Sequence, residues 1–223
     1  MTRIMACGAA TDEDIGLLIR AGVDGIGLIT EAAQVLECNL SRQQSRYLVS
    51  LIPPLVSSIL VLTETSLQEI CNLFEYIRPD VLQLHGDVTP ADLSLLKERL
   101  PVKTVKAILV PDQPVPVDHL VNQVQVYLEH GADAILIDRG SGGMYGSTGQ
   151  PVDKDLARRL KDAAFPRPVI LAGGLTAGNV AMAIQEIRPY AVDVFSGIRE
   201  KGHLSRRKLI EFIRVVRIEN REE

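Results

Sequence analysis

The sequence has no block of basic residues, no paired-cysteine motif and no long apolar run. Its 24 lysines and arginines stand against 28 acidic residues, a formal charge of −4, so nucleic acid is not expected as a partner. Cys7, Cys38 and Cys71 form no CxxC pair and are odd in number. That argues against a disulfide framework or a zinc site, so no metal is expected, and it fits a reducing cytoplasm. No stretch of 18 apolar residues is available to span a membrane, and no apolar run follows Met1-Thr2-Arg3, so neither a membrane anchor nor a signal peptide is expected. Linkers and low-complexity tracts are also missing, and residues 1–223 read as one domain. A hydrophobic fraction of 46% is enough to fill its core.

What is present is a regular alternation. Short, mostly continuous apolar runs fall at Arg3–Ala6, Gly25–Leu28, Ser57–Leu62, Val81–Leu84, Thr104–Ile108, Ala134–Ile137, Val169–Leu171 and Ala191–Phe195, as expected of parallel strands buried on both faces. Between them, Ile70, Leu73, Phe74 and Ile77 follow helical spacing, as do Val180, Ala183, Ile184 and Ile187, and Leu209, Phe212, Ile213 and Val216. Thr11 with Asp14 has the form of a capping box, and Pro90 suits a first helical turn. Val110–Val117, with three prolines, reads as a loop. Eight strand–helix units in one domain predict an α/β fold of the (β/α)8 barrel type, whose active site lies at the carboxyl ends of the strands.

Those strand ends carry Cys7-Gly8, His85-Gly86-Asp87, Asp138-Arg139, Ala172-Gly173-Gly174 and Ser196-Gly197. A carboxylate at the depth of Asp138 is partly desolvated, which suits a general acid; a structural Asp holding a loop amide or pairing with Arg139 is the alternative. Cys7 can serve as a general base if a loop dipole or basic neighbour favours its thiolate, or it can be inert packing. His85 can contact substrate or bond its own loop. Glycines after the last two strands let backbone N–H groups approach an anion, so Gly173, Gly174, Ser196 and Gly197 are the expected phosphate site. The Gly-rich stretch Gly140–Gln150 reads either as a cover over the site or as a solvent loop.

Taken together, these residues resemble the phosphoribosylanthranilate isomerase family of tryptophan biosynthesis. The resemblance runs through Cys7-Gly8 with Thr11, Glu13 and Asp14, Gln83-Leu84-His85-Gly86, Asp138 followed by Gly146-Ser147-Thr148-Gly149, Leu171–Leu175 with Asn179-Val180, and Arg188–Gly197. It implies a cofactor-free Amadori rearrangement of an aminoaldose to an aminoketose, with Asp138 as acid and Cys7 as base. By the same resemblance Gln83, His85, Gly149 and Asp193 are substrate-binding residues. The implied partner is a phosphorylated small molecule, and the chain is expected in the cytoplasm as a monomer or homodimer.

The chain also departs from the family. Where the family carries Ser-Pro-Arg-Tyr, whose arginine grips the anthranilate carboxylate, this sequence reads Leu36-Glu37-Cys38-Asn39, with cysteine in the arginine's place. The family's lysine ahead of its cysteine is Met5, the glutamate after its Ser-Gly-Val is Arg199, and its Gly-x-Lys-Asp is Gly202-His203-Leu204-Ser205. Arg139 is the expected replacement clamp; its alternative is an ion pair with a loop carboxylate. Two other readings stand beside the isomerase: a diverged relative acting on another phosphosugar amine, and a non-catalytic barrel binding a phosphorylated metabolite.

Overall fold

The structure, a computed structural model, describes residues 1–32, 37–140 and 151–222. Eight parallel strands close into a barrel in sequence order: β1 Arg3–Cys7, β2 Gly25–Ile29, β3 Ser57–Leu62, β4 Val81–Leu84, β5 Lys103–Val110, β6 Ala134–Arg139, β7 Val169–Leu171 and β8 Ala191–Val194. Closure runs through β1 and β8, with Met5 opposite Asp193 and Ala6 opposite Val194. The connecting helices are α1 Asp12–Ala21, α2 Arg42–Ser50, α3 Leu67–Ile77, α4 Pro90–Arg99, α5 Val117–Glu129, α6 Lys154–Ala164, α7 Val180–Ile187 and α8 Arg206–Glu222.

Local chemistry explains the starts. The Thr11 hydroxyl accepts from the Asp14 N–H while the Asp14 carboxylate reaches back to the Thr11 N–H, a full capping box. Ser41 and Gln44 do the same for α2. Thr89 caps α4 with Pro90 at its first position, where a missing N–H costs nothing.

Side chains alternate along the strands, and this alternation sorts the core. One set, including Ile4, Ala6, Ile26, Leu28, Leu60, Leu62, Ile135 and Ile137, packs outward against the helices. The other fills the barrel in two clusters, Met5, Cys7, Ile59 and Val61, and Val105, Ala107, Leu136, Ile170, Ala172 and Ala191. At the amino ends of the strands, three aspartates each accept a neighbouring strand's N–H: Asp24 from Ile4 at 2.8 Å, Asp80 from Ser58 at 2.8 Å and Asp133 from Thr104 at 2.9 Å. These bonds fix the register on the face opposite the site, where barrels keep their stabilising residues.

The strands coincide with the apolar runs to within two residues at their ends. β5 extends to both sides of the expected segment and takes in Val110, and Lys106 stands buried within it. After β8 the chain forms a 3-10 turn, Ser196–Ile198, and a short antiparallel pair, β9 Arg199–Glu200 with β10 His203–Leu204. Among the described residues no helix is long and apolar enough to cross a membrane.

Candidate active site

Three acidic or thiol groups meet at the carboxyl end of the barrel. Cys7 closes β1, Asp138 lies next to the end of β6 and Asp193 sits in β8, and all three are buried. The Cys7 Sγ–H donates to Asp193 Oδ2 at 3.3 Å. Room for that sulfur comes from Gly27, its register partner on β2. A Cβ there would stand 2.2 Å from Sγ.

Burial pushes the Cys7 thiol well up from its ordinary value, and the negative charges of Asp193 and Asp138 add to the rise. Sequence reading looked to a basic neighbour or dipole to favour the thiolate; the residues around Cys7 tilt the balance the other way. Burial, aided by the charge of Asp138, also lifts the Asp193 carboxyl to about 7, against the pull of hydrogen bonds from Cys7 and the Val194 backbone. The thiol thus keeps its proton and donates it to the Asp193 carboxyl, which itself titrates near neutral pH.

Asp138 is held from two sides. Its Oδ1 accepts the Arg139 backbone N–H at 2.7 Å, and its Oδ2 faces His85 Nε2 at 3.4 Å. The Gln83 amide nitrogen lies 3.1 Å from His85 Nδ1. Gln83 Oε1 and Asp193 Oδ1 are buried without a hydrogen-bond partner. Two orphaned acceptors in one barrel mouth are what a ligand's hydroxyls would satisfy.

The β4–α4 loop carrying His85 rests on a residue that sequence reading missed. Lys106 points to the outer side of β5 and its Nζ donates to the carbonyls of Leu84 at 3.3 Å, Gly86 at 2.9 Å and Ala107 at 3.0 Å. Burial brings its ammonium down to about 8. A lysine inside an apolar strand run was the available signal.

Arg139 leaves the mouth for the loops flanking it. Its Nε pairs with Asp112 Oδ1 at 2.8 Å and its Nη1 donates to the Pro151 carbonyl at 3.0 Å. Gly149 lies outside the described residues, as do Gly146, Ser147 and Thr148.

The glycine loops after β7 and β8 converge on one cavity. A cavity of about 330 Å³ is lined by Gly174, Thr176, Ser196, Gly197, Arg207 and Lys208, among others. Asn179 shapes the first loop: its Oδ1 accepts the Thr176 N–H at 2.7 Å and its Nδ2 donates to the Gly174 carbonyl at 3.0 Å. The loops touch at Gly197, where a Cβ would stand 1.9 Å from the Leu175 carbonyl oxygen. Gly173 lines a neighbouring cavity with Pro151 and Val152. The cations come from the first turn of α8, a basic pair that sequence reading passed over. No cluster of metal-ligating side chains occurs among the described residues.

Fold and site together define a (β/α)8-barrel enzyme, with buried titratable side chains at the carboxyl end of the barrel and glycine loops after its last two strands. The chain belongs to the N-(5'-phosphoribosyl)anthranilate isomerase family, whose model matches residues 4–215. An N-(5'-phosphoribosyl)anthranilate isomerase of Methanosarcina mazei is 34% identical, the match covering 98% of this chain and 96% of that protein. The phosphoribosylanthranilate isomerase structure of Thermotoga maritima superposes with a TM-score of 0.82 at 26% identity, covering 97% of this chain and 99% of that one. A phosphoribosylanthranilate isomerase solved in complex with reduced 1-(o-carboxyphenylamino)-1-deoxyribulose 5-phosphate superposes with a TM-score of 0.79 at 25% identity, over 97% and 99% of the two chains.

Proposed function

We propose that this chain isomerises N-(5'-phosphoribosyl)anthranilate to 1-(2-carboxyphenylamino)-1-deoxyribulose 5-phosphate, with Asp138 as general acid and Cys7 as general base. The observation that carries the assignment of roles is the Cys7–Asp193 hydrogen bond beside a separately held Asp138 in one barrel mouth. Asp138 protonates the furanose oxygen, the C1–O bond breaks, and the nitrogen lone pair makes the C1 iminium. Cys7 takes the proton from C2; the C–H electrons become the C1–C2 double bond and neutralise the iminium. Protonation at C1 and loss of the C2 hydroxyl proton then give the ketone.

The raised thiol fits this sequence. Burial and the Asp193 carboxylate keep the proton on sulfur. The iminium brings a positive charge into the same pocket, which favours the thiolate, and Asp193, at about 7, accepts the displaced proton near neutral pH. His85, Gln83 and Asp193 receive the sugar hydroxyls. The phosphate sits between the loops at Gly173-Gly174 and Ser196-Gly197, opposite Arg207 and Lys208. On this reading the chain works in the cytoplasm as a monomer or homodimer. The test is direct: purified protein should consume N-(5'-phosphoribosyl)anthranilate, seen as loss of its fluorescence, and a folded protein that leaves the signal unchanged would refute the assignment.

A further inference from the structure

The substrate carries a carboxylate ortho to the nitrogen on C1, next to the carbon that Cys7 deprotonates. A cation is therefore needed beside the base rather than on it. Arg139, the nearest in sequence to the acid, is engaged by Asp112 and Pro151. Cys38, where an arginine would stand in the family, is buried and uncharged.

Arg199, at the start of β9, is differently placed. Its Nη2 donates to the carbonyl of Gly8, the residue that follows the base, and its Nη1 donates to the Gly202 carbonyl at 2.6 Å. Its guanidinium lies 4.6 Å from the centroid of the Phe195 ring, and that ring packs with the Met5–Cys7 cluster inside the barrel mouth. Gly8, at φ +85°, leaves the space that the pair occupies; a Cβ there would stand 2.5 Å from both Arg199 Nη2 and Phe195. The guanidinium is also close enough to Cys38 for its charge to pull against the effect of burial on that thiol. Two of its five N–H donors are engaged by carbonyls, and the Nε–H is buried with no acceptor. A buried, charged donor without an acceptor is costly unless something else supplies the oxygen.

We propose that Arg199 binds the anthranilate carboxylate, taking over the contact that Cys38 cannot make. This rests on the isomerase reading above. It makes Arg199 the residue that selects an acidic arylamine over a neutral one. Its planar fork, braced by Phe195 and two carbonyls, is already oriented when substrate arrives.

The test uses two inhibitors that differ by one group: reduced 1-(o-carboxyphenylamino)-1-deoxyribulose 5-phosphate and its phenylamino counterpart without the carboxylate. Wild type should bind the carboxylated compound at least about tenfold more tightly, the size of one charge-assisted hydrogen bond. Arg199→Met should lose that preference while binding the neutral compound as before, and Arg199→Lys should keep part of it. Arg139→Met should leave the preference in place. Arg199→Met weakening both compounds equally would show a structural role and overturn the proposal, as would loss of the preference in Arg139→Met instead. If wild type binds neither compound, the isomerase reading itself fails.

Discussion

Asp193→Asn should stabilise the protein at pH 8 and destabilise it at pH 3. Asp193 is buried, and burial together with the charge of Asp138 lifts it from 3.8 to about 7. A rise of that size corresponds to about 4 kcal/mol in favour of the protonated form. Between about pH 4 and pH 7 the unfolded chain has lost this proton while the native protein still holds it, so stability falls as pH rises through that window and levels off above it. Asparagine keeps an oxygen for the Cys7 thiol and cannot ionise, so this slope disappears. Against the gain stands a buried amide N–H left without an acceptor, worth about 1–3 kcal/mol. The net expectation at pH 8 is a gain of about 1–3 kcal/mol; at pH 3, where Asp193 is neutral in the folded and the unfolded chain alike, only the loss is left. Urea unfolding of both proteins at the two pH values measures this, with an unchanged m-value as the check that the unfolded state is the same. Parallel stability curves for wild type and variant would show that Asp193 is not held protonated and would remove its role as proton acceptor for Cys7.

Other perturbations test the remaining parts. Gly27→Ala should displace the thiol, since the new methyl would stand 2.2 Å from Sγ; stability should fall by about 1–3 kcal/mol, and kcat should fall with it. A fully active variant would mean that the sulfur can work from elsewhere. Asp138→Asn should lower kcat by about 10²–10⁴-fold with inhibition by inorganic phosphate unchanged, and a loss of phosphate inhibition would make the residue structural. Lys106→Met removes the donors that hold the carbonyls of Leu84 and Gly86 on either side of His85; kcat should fall more than substrate affinity, and an unaltered kcat would separate this loop from catalysis.

Much of the fold was legible because each strand is a mostly apolar run and several helix starts carry their own caps. Thr11-Asp14 and Thr89-Pro90 specify their helices with residues less than a turn apart. The site was legible only as a set of strand ends. Cys7 and Asp193 are 186 positions apart and meet because β1 pairs with β8. Barrel closure supplies the negative charge that reverses the expected tilt of the thiol, and no local pattern encodes it. Lys106 was hidden for a related reason: its partners are carbonyls of another loop, and carbonyls leave no mark in a sequence. Asp112 and Arg139 lie in separate loops that the β5–β6 pairing brings together, with Val110 opposite Arg139. Arg199 is a surface arginine in sequence and becomes a candidate clamp only when β9 and the 3-10 turn bring it against Gly8.

The measurement closest to the central claim is the single-turnover rate of Cys7→Ala with N-(5'-phosphoribosyl)anthranilate, followed by fluorescence beside wild type. The removed sulfur sits where Gly27 left it room, so the fold should persist. With the base gone, the rate should fall at least about 100-fold while phosphate inhibition stays the same. A Cys7→Ala protein that keeps more than about a tenth of the wild-type rate, less than the smallest loss expected for a general base, would contradict the account, because the proton on C2 would then be leaving by another route.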